Sequence, residues 1–307
     1  SEPEPWNEWM QYSPEEMAAS YMNGIEQHIR LNPAIQVWEG TNEFNPPNVT
    51  QMAWFSRFEV ERTRLLMTRH QKRSAIGSFS VGTPDISLHI HFKPALDAIK
   101  QYGGYLSLHE YWNQRWDISL TWLHGRYRRW IKQFAEVAYY DPDIKILITE
   151  CGTDSLEGYG APPKQMFKFP DGAFNPVAYC LSLTRYEHLI REDPQVIGAT
   201  IFLFGGSGFP DFQMEGAGLA DPLIVWSKVN PMTTPAPPPP KPTKWVGRNA
   251  KTKVDTGLFI SASNLFPAIT TFYAGTILPI QNETDKWIRV TRSGWVAKKY
   301  CELLAYP

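Results

Sequence analysis

Two stretches decide how this chain is read: WEGTNEF at 38–44 and ILITECG at 146–152. Each joins a short apolar run to a glutamate, Glu43 in the first and Glu150 in the second. Apolar runs of this length suit strands buried on both faces, as in a parallel sheet covered by helices. Outward from them, strand-like and helix-like patterns alternate. Ser13-Pro14-Glu15-Glu16 reads as a helix start, with Ser as cap, Pro in the first turn and Glu three residues on, so a helix is expected to run to about Leu31. The order expected next is strand 34–38, helix 49–69, strand 74–81, helix 94–102, strand 104–108, helix 120–138, strand 144–149, helix 176–192 and strand 196–204. Strands alternating with helices in this way define an α/β chain with a parallel sheet.

In a (β/α)8 barrel every strand points its C-terminal end at one face, where the active site lies. Glu43 and Glu150, each at the end of an apolar run, would converge there. Such a pair is what glycoside hydrolysis requires, one carboxyl to protonate the leaving oxygen and one to attack the anomeric carbon. Glu39 and Glu110 are neighbouring rivals, read as supporting or ion-pairing groups.

At these residues the sequence resembles the retaining glycoside hydrolases of clan A. The resemblance rests on Asn42-Glu43 after one strand, two intervening strands, then His109-x-Tyr111 and finally Glu150 after the next strand. It implies a (β/α)8 barrel with Glu43 as acid/base, at the fourth strand, and Glu150 as nucleophile, at the seventh. By the same resemblance Asn42 would bond the sugar 2-hydroxyl, and Tyr111 would donate to Glu150 and keep it ionised. His109 would line the sugar site. Trp38, Trp112 and Trp116 are candidate stacking platforms or packing residues. Phe204, past the last strand, stands where the clan more usually places a Trp. Counted this way, only strands four to eight are present, so the barrel is expected to be completed by a further N-terminal segment or a partner chain.

The segment at 230–243, NPMTTPAPPPPKPT, can neither form helix nor join a sheet and reads as an extended spacer. It divides the chain into 1–229, the barrel segment, and 244–307. That tail shows short strands and turns, GLFISAS, AGTILPI, KWIRV and SGWVAKKYCEL, the pattern of a small β-barrel. It resembles bacterial-type SH3 domains, which implies a cell-wall peptide or peptidoglycan as partner, with Trp287, Trp295 and Tyr300 as groove or core residues.

A net charge of −1 gives no reason to expect nucleic acid, and no stretch approaches the roughly 20 apolar residues of a membrane span. Three cysteines are too few for a disulfide framework. The 12 Trp, 14 Tyr and 16 Phe suit stacking on sugar faces as well as a large core. Together these readings lead to a secreted retaining β-glycosidase, extracellular or at the cell surface, acting on a polysaccharide with no metal or organic cofactor. The alternative is a glycan-binding or assembly protein that keeps the barrel without turnover. A peptidoglycan hydrolase is a variant of the first.

Overall fold

The computed structural model describes residues 6–113, 125–155, 160–206 and 208–229, with eight short strand segments between 249 and 303. The spacer at 230–243, Trp116 and the side chains of Trp287, Trp295, Tyr300 and Cys301 lie outside the described residues. The chain divides into two compact units, 1–174 with 193–217, and 175–192 with 218–307.

The first unit opens with α1 (Trp6–Trp9) and α2 (Pro14–Leu31). The expected capping box closes: the Ser13 hydroxyl accepts from the Glu16 amide at 3.3 Å, and the Ser13 amide donates to the Glu16 carboxylate at 2.9 Å. Next come β1 (Val37–Glu39), α3 (Val49–His70), β2 (Arg73–Phe79), a 3-10 turn at Ile86–Phe92, α4 (Lys93–Tyr102) and β3 (Tyr105–Trp112). After them follow α5 (Arg128–Ile131), β4 (Ile146–Thr153), α6 (Pro163–Met166) and β5 (Val196–Ile201). The five strands form one curled parallel sheet in the order β1-β2-β3-β4-β5. Among the described residues β1 and β5 pair on one side only, and Ile197 of β5 is 46% exposed.

Several boundaries differ from expectation. The first strand starts at Val37 because residues 34–36 are still leaving α2 through a turn, in which the Ile35 amide bonds the Asn32 carbonyl. β3 runs on to Trp112 because its ladder with β4 continues through Trp112↔Thr153. Residues 203 and 204 leave the sheet because their backbone bonds the loop at 212–215 instead. The helix expected over 120–138 is, among the described residues, only the single turn of α5. The Trp130 carbonyl, which a continuing helix would offer to Phe134, is taken by the Asp141 amide at 2.7 Å. Asp193 pins this turn, accepting from the Tyr127 hydroxyl at 2.6 Å and from Arg128 Nε at 2.5 Å.

An aromatic core fills the α1–α3 side. Phe44 packs against Trp6 and Trp9 at centroid distances of 3.9 and 4.6 Å, and Phe55, Phe58, Phe79 and Phe92 continue the cluster. Between α3 and the sheet lies a fully buried ion pair, with Arg62 Nε 2.6 Å from Glu59 Oε2. Arg62 also donates to the Ala75 carbonyl at 2.8 Å, and the Gly77 amide donates to Glu59 at 3.3 Å, so one pair ties α3 to β2. Gly40 closes over it: a Cβ there would lie 2.8 Å from Arg62 Nη2 and 2.9 Å from Glu59 Oε1. Gly40→Ala is therefore expected to destabilise the fold by about 1–3 kcal/mol, as overpacking does, read as a lowered urea midpoint with unchanged slope.

The second unit holds α7 (Pro176–Ile190), capped where the Asn175 side chain accepts the Ala178 amide at 3.0 Å, and α8 (Ala220–Val229), which packs against α7. Its remaining strands are β6 (Asn249–Thr252), β7 (Thr256–Leu258), β8 (Thr270–Phe272), β9 (Ile277–Pro279), β10 (Asn282–Glu283), β11 (Trp287–Thr291), β12 (Gly294–Ala297) and β13 (Cys301–Leu303). They pair antiparallel as β10-β11-β12, β13-β6-β9 and β7-β8, so the described segments of the tail are all strand. Among the described residues no helix is long and apolar enough to cross a membrane. Cys151 and Cys180 are buried free thiols.

Candidate active site

Side chains alternate along a strand, so Ser107, His109 and Tyr111 of β3 share one face while Leu108 and Glu110 take the other. The contacts follow that rule. His109 Nδ1 lies 2.8 Å from Glu43 Oε1 and 3.3 Å from Glu150 Oε2. The Tyr111 hydroxyl donates to Glu150 Oε2 at 2.9 Å. When both carboxyls are ionised they only accept, so in that state Nδ1 carries the ring hydrogen and His109 bridges the pair. Glu110 turns away and accepts the Tyr127 amide at 2.9 Å, which removes it from the site.

Backbone irregularities aim the two glutamates. Glu43 sits in the turn after β1 with φ 50°, a left-handed conformation that costs a non-glycine residue about 1–2 kcal/mol. Two anchors hold it there: its amide donates to the Ser78 carbonyl at 3.0 Å, and the next side chain, Phe44, is locked in the aromatic core. Ser78 is itself part of a bulge in β2, with φ 93° at Gly77 and 44° at Ser78. On β4 the register steps from Leu108↔Ile148 to His109↔Glu150, leaving Thr149 as an extra residue. That bulge lets Thr149 and Glu150, adjacent in sequence, both meet the Ser107–His109–Tyr111 face.

Beneath the pair runs a line of hydroxyls. Ser78 Oγ and Ser107 Oγ lie 2.7 and 2.5 Å from Glu39 Oε1, and Ser107 Oγ lies 2.6 Å from Thr149 Oγ1. Glu39 thus belongs to the site region. Ser107 and Thr149 were not singled out from the sequence, although the period-two spacing of Ser107, His109 and Tyr111 is a signal that could have found Ser107.

The remaining candidates fall out differently. Asn42 is exposed beside Glu43, with no hydrogen bond among the described residues. Trp38 points away from Glu39, as alternation requires, and packs against the Met22, Ile29, Leu65 and Leu66 cluster of α2 and α3. Trp112 is wholly buried and offers no ring face to a ligand. Phe204 is 55% exposed on the loop after β5, but the ring that stands beside the site is Phe202, 6.2 Å from Tyr111 and edge-on to it. Phe202 in turn meets Phe209 and Phe212 at 5.4 and 5.5 Å, and Phe209 is 52% exposed.

Electrostatics separates the two carboxylates. Glu43 keeps 41% of its side chain exposed, against 21% for Glu150. Burial pushes the Glu150 carboxyl above the ordinary glutamate value, His109 and the Tyr111 hydroxyl pull it back, and the Glu43 and Glu39 charges push it further up. The Tyr111 donation is present as the resemblance implied, and burial works against it. The expectation weighed the Tyr111 bond but not the burial. Tyr111 is driven far above its usual range by burial and by Glu150, so it remains a hydroxyl donor.

The Glu43, His109 and Glu150 ligand atoms lie within 4.8 Å of one another, close enough for a divalent ion to bridge. A divalent ion there would take the place of the Nδ1 hydrogen between the two carboxylates. No protein-family model matches the sequence, and no curated protein matches it.

Proposed function

We propose that this chain carries the catalytic face of a retaining glycoside hydrolase. The observation that supports this most directly is the approach of Glu43 and Glu150, on the ends of β1 and β4, to within 4.8 Å at their nearest oxygens. Nearest oxygens this close suit the short carboxyl spacing of retaining enzymes, in which one carboxylate attacks directly, better than the wider spacing of inverting ones. Glu43, more exposed and free to meet the leaving group, is the acid/base. Glu150, held by Tyr111 and His109, is the nucleophile. Protonation of Glu150 removes its nucleophilic lone pair, so turnover should fall on the acid side at a pH above the ordinary glutamate range.

The curled parallel sheet, with β1 and β5 each unpaired on one side among the described residues, is consistent with strands four to eight of a (β/α)8 barrel. Further βα units along those edges would close it. A complete sugar pocket depends on that closure. Without it, glycan binding or an assembly role is the second reading, favoured by the exposed apolar residue Ile197 on the β5 edge. The antiparallel tail is read as an SH3-like module directing the protein to cell-wall peptide or peptidoglycan, a role that an extracellular or cell-surface protein would serve. The substrate is then an extracellular or cell-wall polysaccharide.

The aromatic strip from Tyr111 through Phe202 to the exposed Phe209 supports a carbohydrate ligand, because flat C–H faces of sugars pack on such rings. The test is hydrolysis of cell-wall and plant oligosaccharides by the full-length protein, with the product anomer followed by NMR. Retention of configuration is expected. Inversion, or no turnover on any glycoside, would refute the reading. With an active substrate in hand, Phe209→Ala is expected to lower kcat/KM about tenfold on oligosaccharides, the scale of one lost stacking contact, and to leave short aryl glycosides unaffected.

A further inference from the structure

Glu39 invites a question that hydrogen bonding alone does not answer. Its Oε1 accepts from two hydroxyls, Ser78 at 2.7 Å and Ser107 at 2.5 Å. A serine hydroxyl has one hydrogen to give. Ser107 gives it to Glu39, so the 2.6 Å contact between Ser107 and Thr149 must be a donation by Thr149. Ser78 likewise gives its hydrogen to Glu39, leaving its 3.4 Å approach to Ser107 secondary. Every hydrogen in this line therefore points toward Glu39, and one residue from each of β1, β2, β3 and β4 takes part. The line ends at Thr149, the bulged residue whose peptide carries Glu150.

A glutamine carbonyl at position 39 would accept the same two hydroxyls and join the same strands. What glutamate adds is a negative charge, without a cation partner among the described residues, next to two other carboxylates. Bridging strands does not require that charge, and its repulsion would make it a liability there. We propose that Glu39 is a positioning residue for Glu150, fixing the β4 bulge through Ser107 and Thr149 and placing its carboxylate on the side of the reacting one. The groups that face Glu150 are His109 and Tyr111 of β3, Glu43 after β1, and Glu39 of β1. Of these, Glu39 is a charge-bearing group that the proposed reaction does not otherwise use. Its effect would be to raise the proton affinity of Glu150, the direction in which its charge acts.

This inference rests on the reading of Glu150 as the reacting carboxylate, but its first readout does not. Glu150 is followed by carbon-13 NMR of the full-length protein, its carboxyl resonance assigned by its disappearance in Glu150→Gln. In Glu39→Gln the Glu150 titration is expected to move down by on the order of half a pH unit, as loss of a nearby like charge requires. In Ser107→Ala, which keeps the charge but cuts the link to Thr149, it is expected to stay raised while the backbone amide resonances of Thr149 and Glu150 move. On an active substrate the acid limb of kcat/KM should move down in Glu39→Gln by the same amount, with KM little changed. An unmoved Glu150 titration in a folded Glu39→Gln protein overturns the proposal. Should that variant not fold, the native protein decides. There the Glu150 carboxyl is expected to titrate above the ordinary glutamate range, and a carboxyl that titrates within or below that range overturns the proposal. A shifted Glu150 without glycoside turnover counts against the functional reading alone.

Discussion

Glu150→Gln is expected to abolish the proposed hydrolysis while stabilising the fold at neutral pH. Loss of a covalent nucleophile costs turnover on the order of 10⁴-fold or more. Stability should move the other way, because burial and two neighbouring carboxylates hold the Glu150 carboxyl above its unfolded value. A native state whose carboxyl is raised binds the proton more tightly than the unfolded chain. Stability is then lost as pH rises through the window from the ordinary glutamate value to the raised one, and the penalty is fully present above it. Glutamine removes that penalty. The variant should melt higher than the native protein at pH 7, and the difference should vanish below the ordinary glutamate range. Melting curves across pH check this. A variant less stable at pH 7 would mean that the Tyr111 and His109 contacts outweigh desolvation.

The second large effect belongs to Arg62. Arg62→Met leaves Glu59 wholly buried, with its guanidinium partner gone and only the Gly77 amide bond remaining. Removing one member of a buried pair costs about 3–5 kcal/mol. Against a domain stability of about 5–15 kcal/mol, that brings the fold close to unfolding at ambient temperature. Burial already pushes Glu59 up while Arg62 pulls it back, so the variant should be least impaired in acid, where Glu59 takes a proton. Replacing both residues, as in Glu59→Leu with Arg62→Met, should recover most of the loss, because no stranded charge remains. Urea denaturation of the two variants at pH 5 and pH 7 gives the comparison.

How much of this was written in the chain depends on the physics behind each feature. The capping box at Ser13 and the length of α2 follow from local chemistry, and they appear where expected. So does the alternation of strands and helices, because each apolar run has one way to be buried. The meeting of Glu43, His109, Tyr111 and Glu150 was legible because strand ends in a parallel sheet share a face. Strand extents were less so: β3 continues through His109-Glu110-Tyr111 because β4 is there to pair with it, and a neighbour is not encoded locally. The single turn of α5 in place of a longer helix was hidden for the same reason, since the Trp130 carbonyl is taken by Asp141, eleven residues on. Bulges were least legible. Nothing in Ile148-Thr149-Glu150 announces that Thr149 is the extra residue, yet that insertion brings both side chains to one face. The choice of Phe202 over Phe204 beside Tyr111 likewise depends on where the chain leaves the sheet.

The support of Glu43 has a consequence for anyone who would transplant this pair of carboxylates. Its carboxylate is borne by the turn after β1, yet its amide is held by the Ser78 carbonyl of β2, its neighbour Phe44 by rings of α1 and α3, and its oxygen by His109 of β3. No single βα unit is therefore a self-sufficient cassette. Grafting the β1 turn onto another scaffold would move a glutamate without the frame that makes its left-handed backbone tolerable, and the residue would relax to an ordinary turn. The smallest portable piece that keeps both glutamates and these sheet supports is the run from β1 to β4 together with the helices between, and recombination that respects the site must cut outside it.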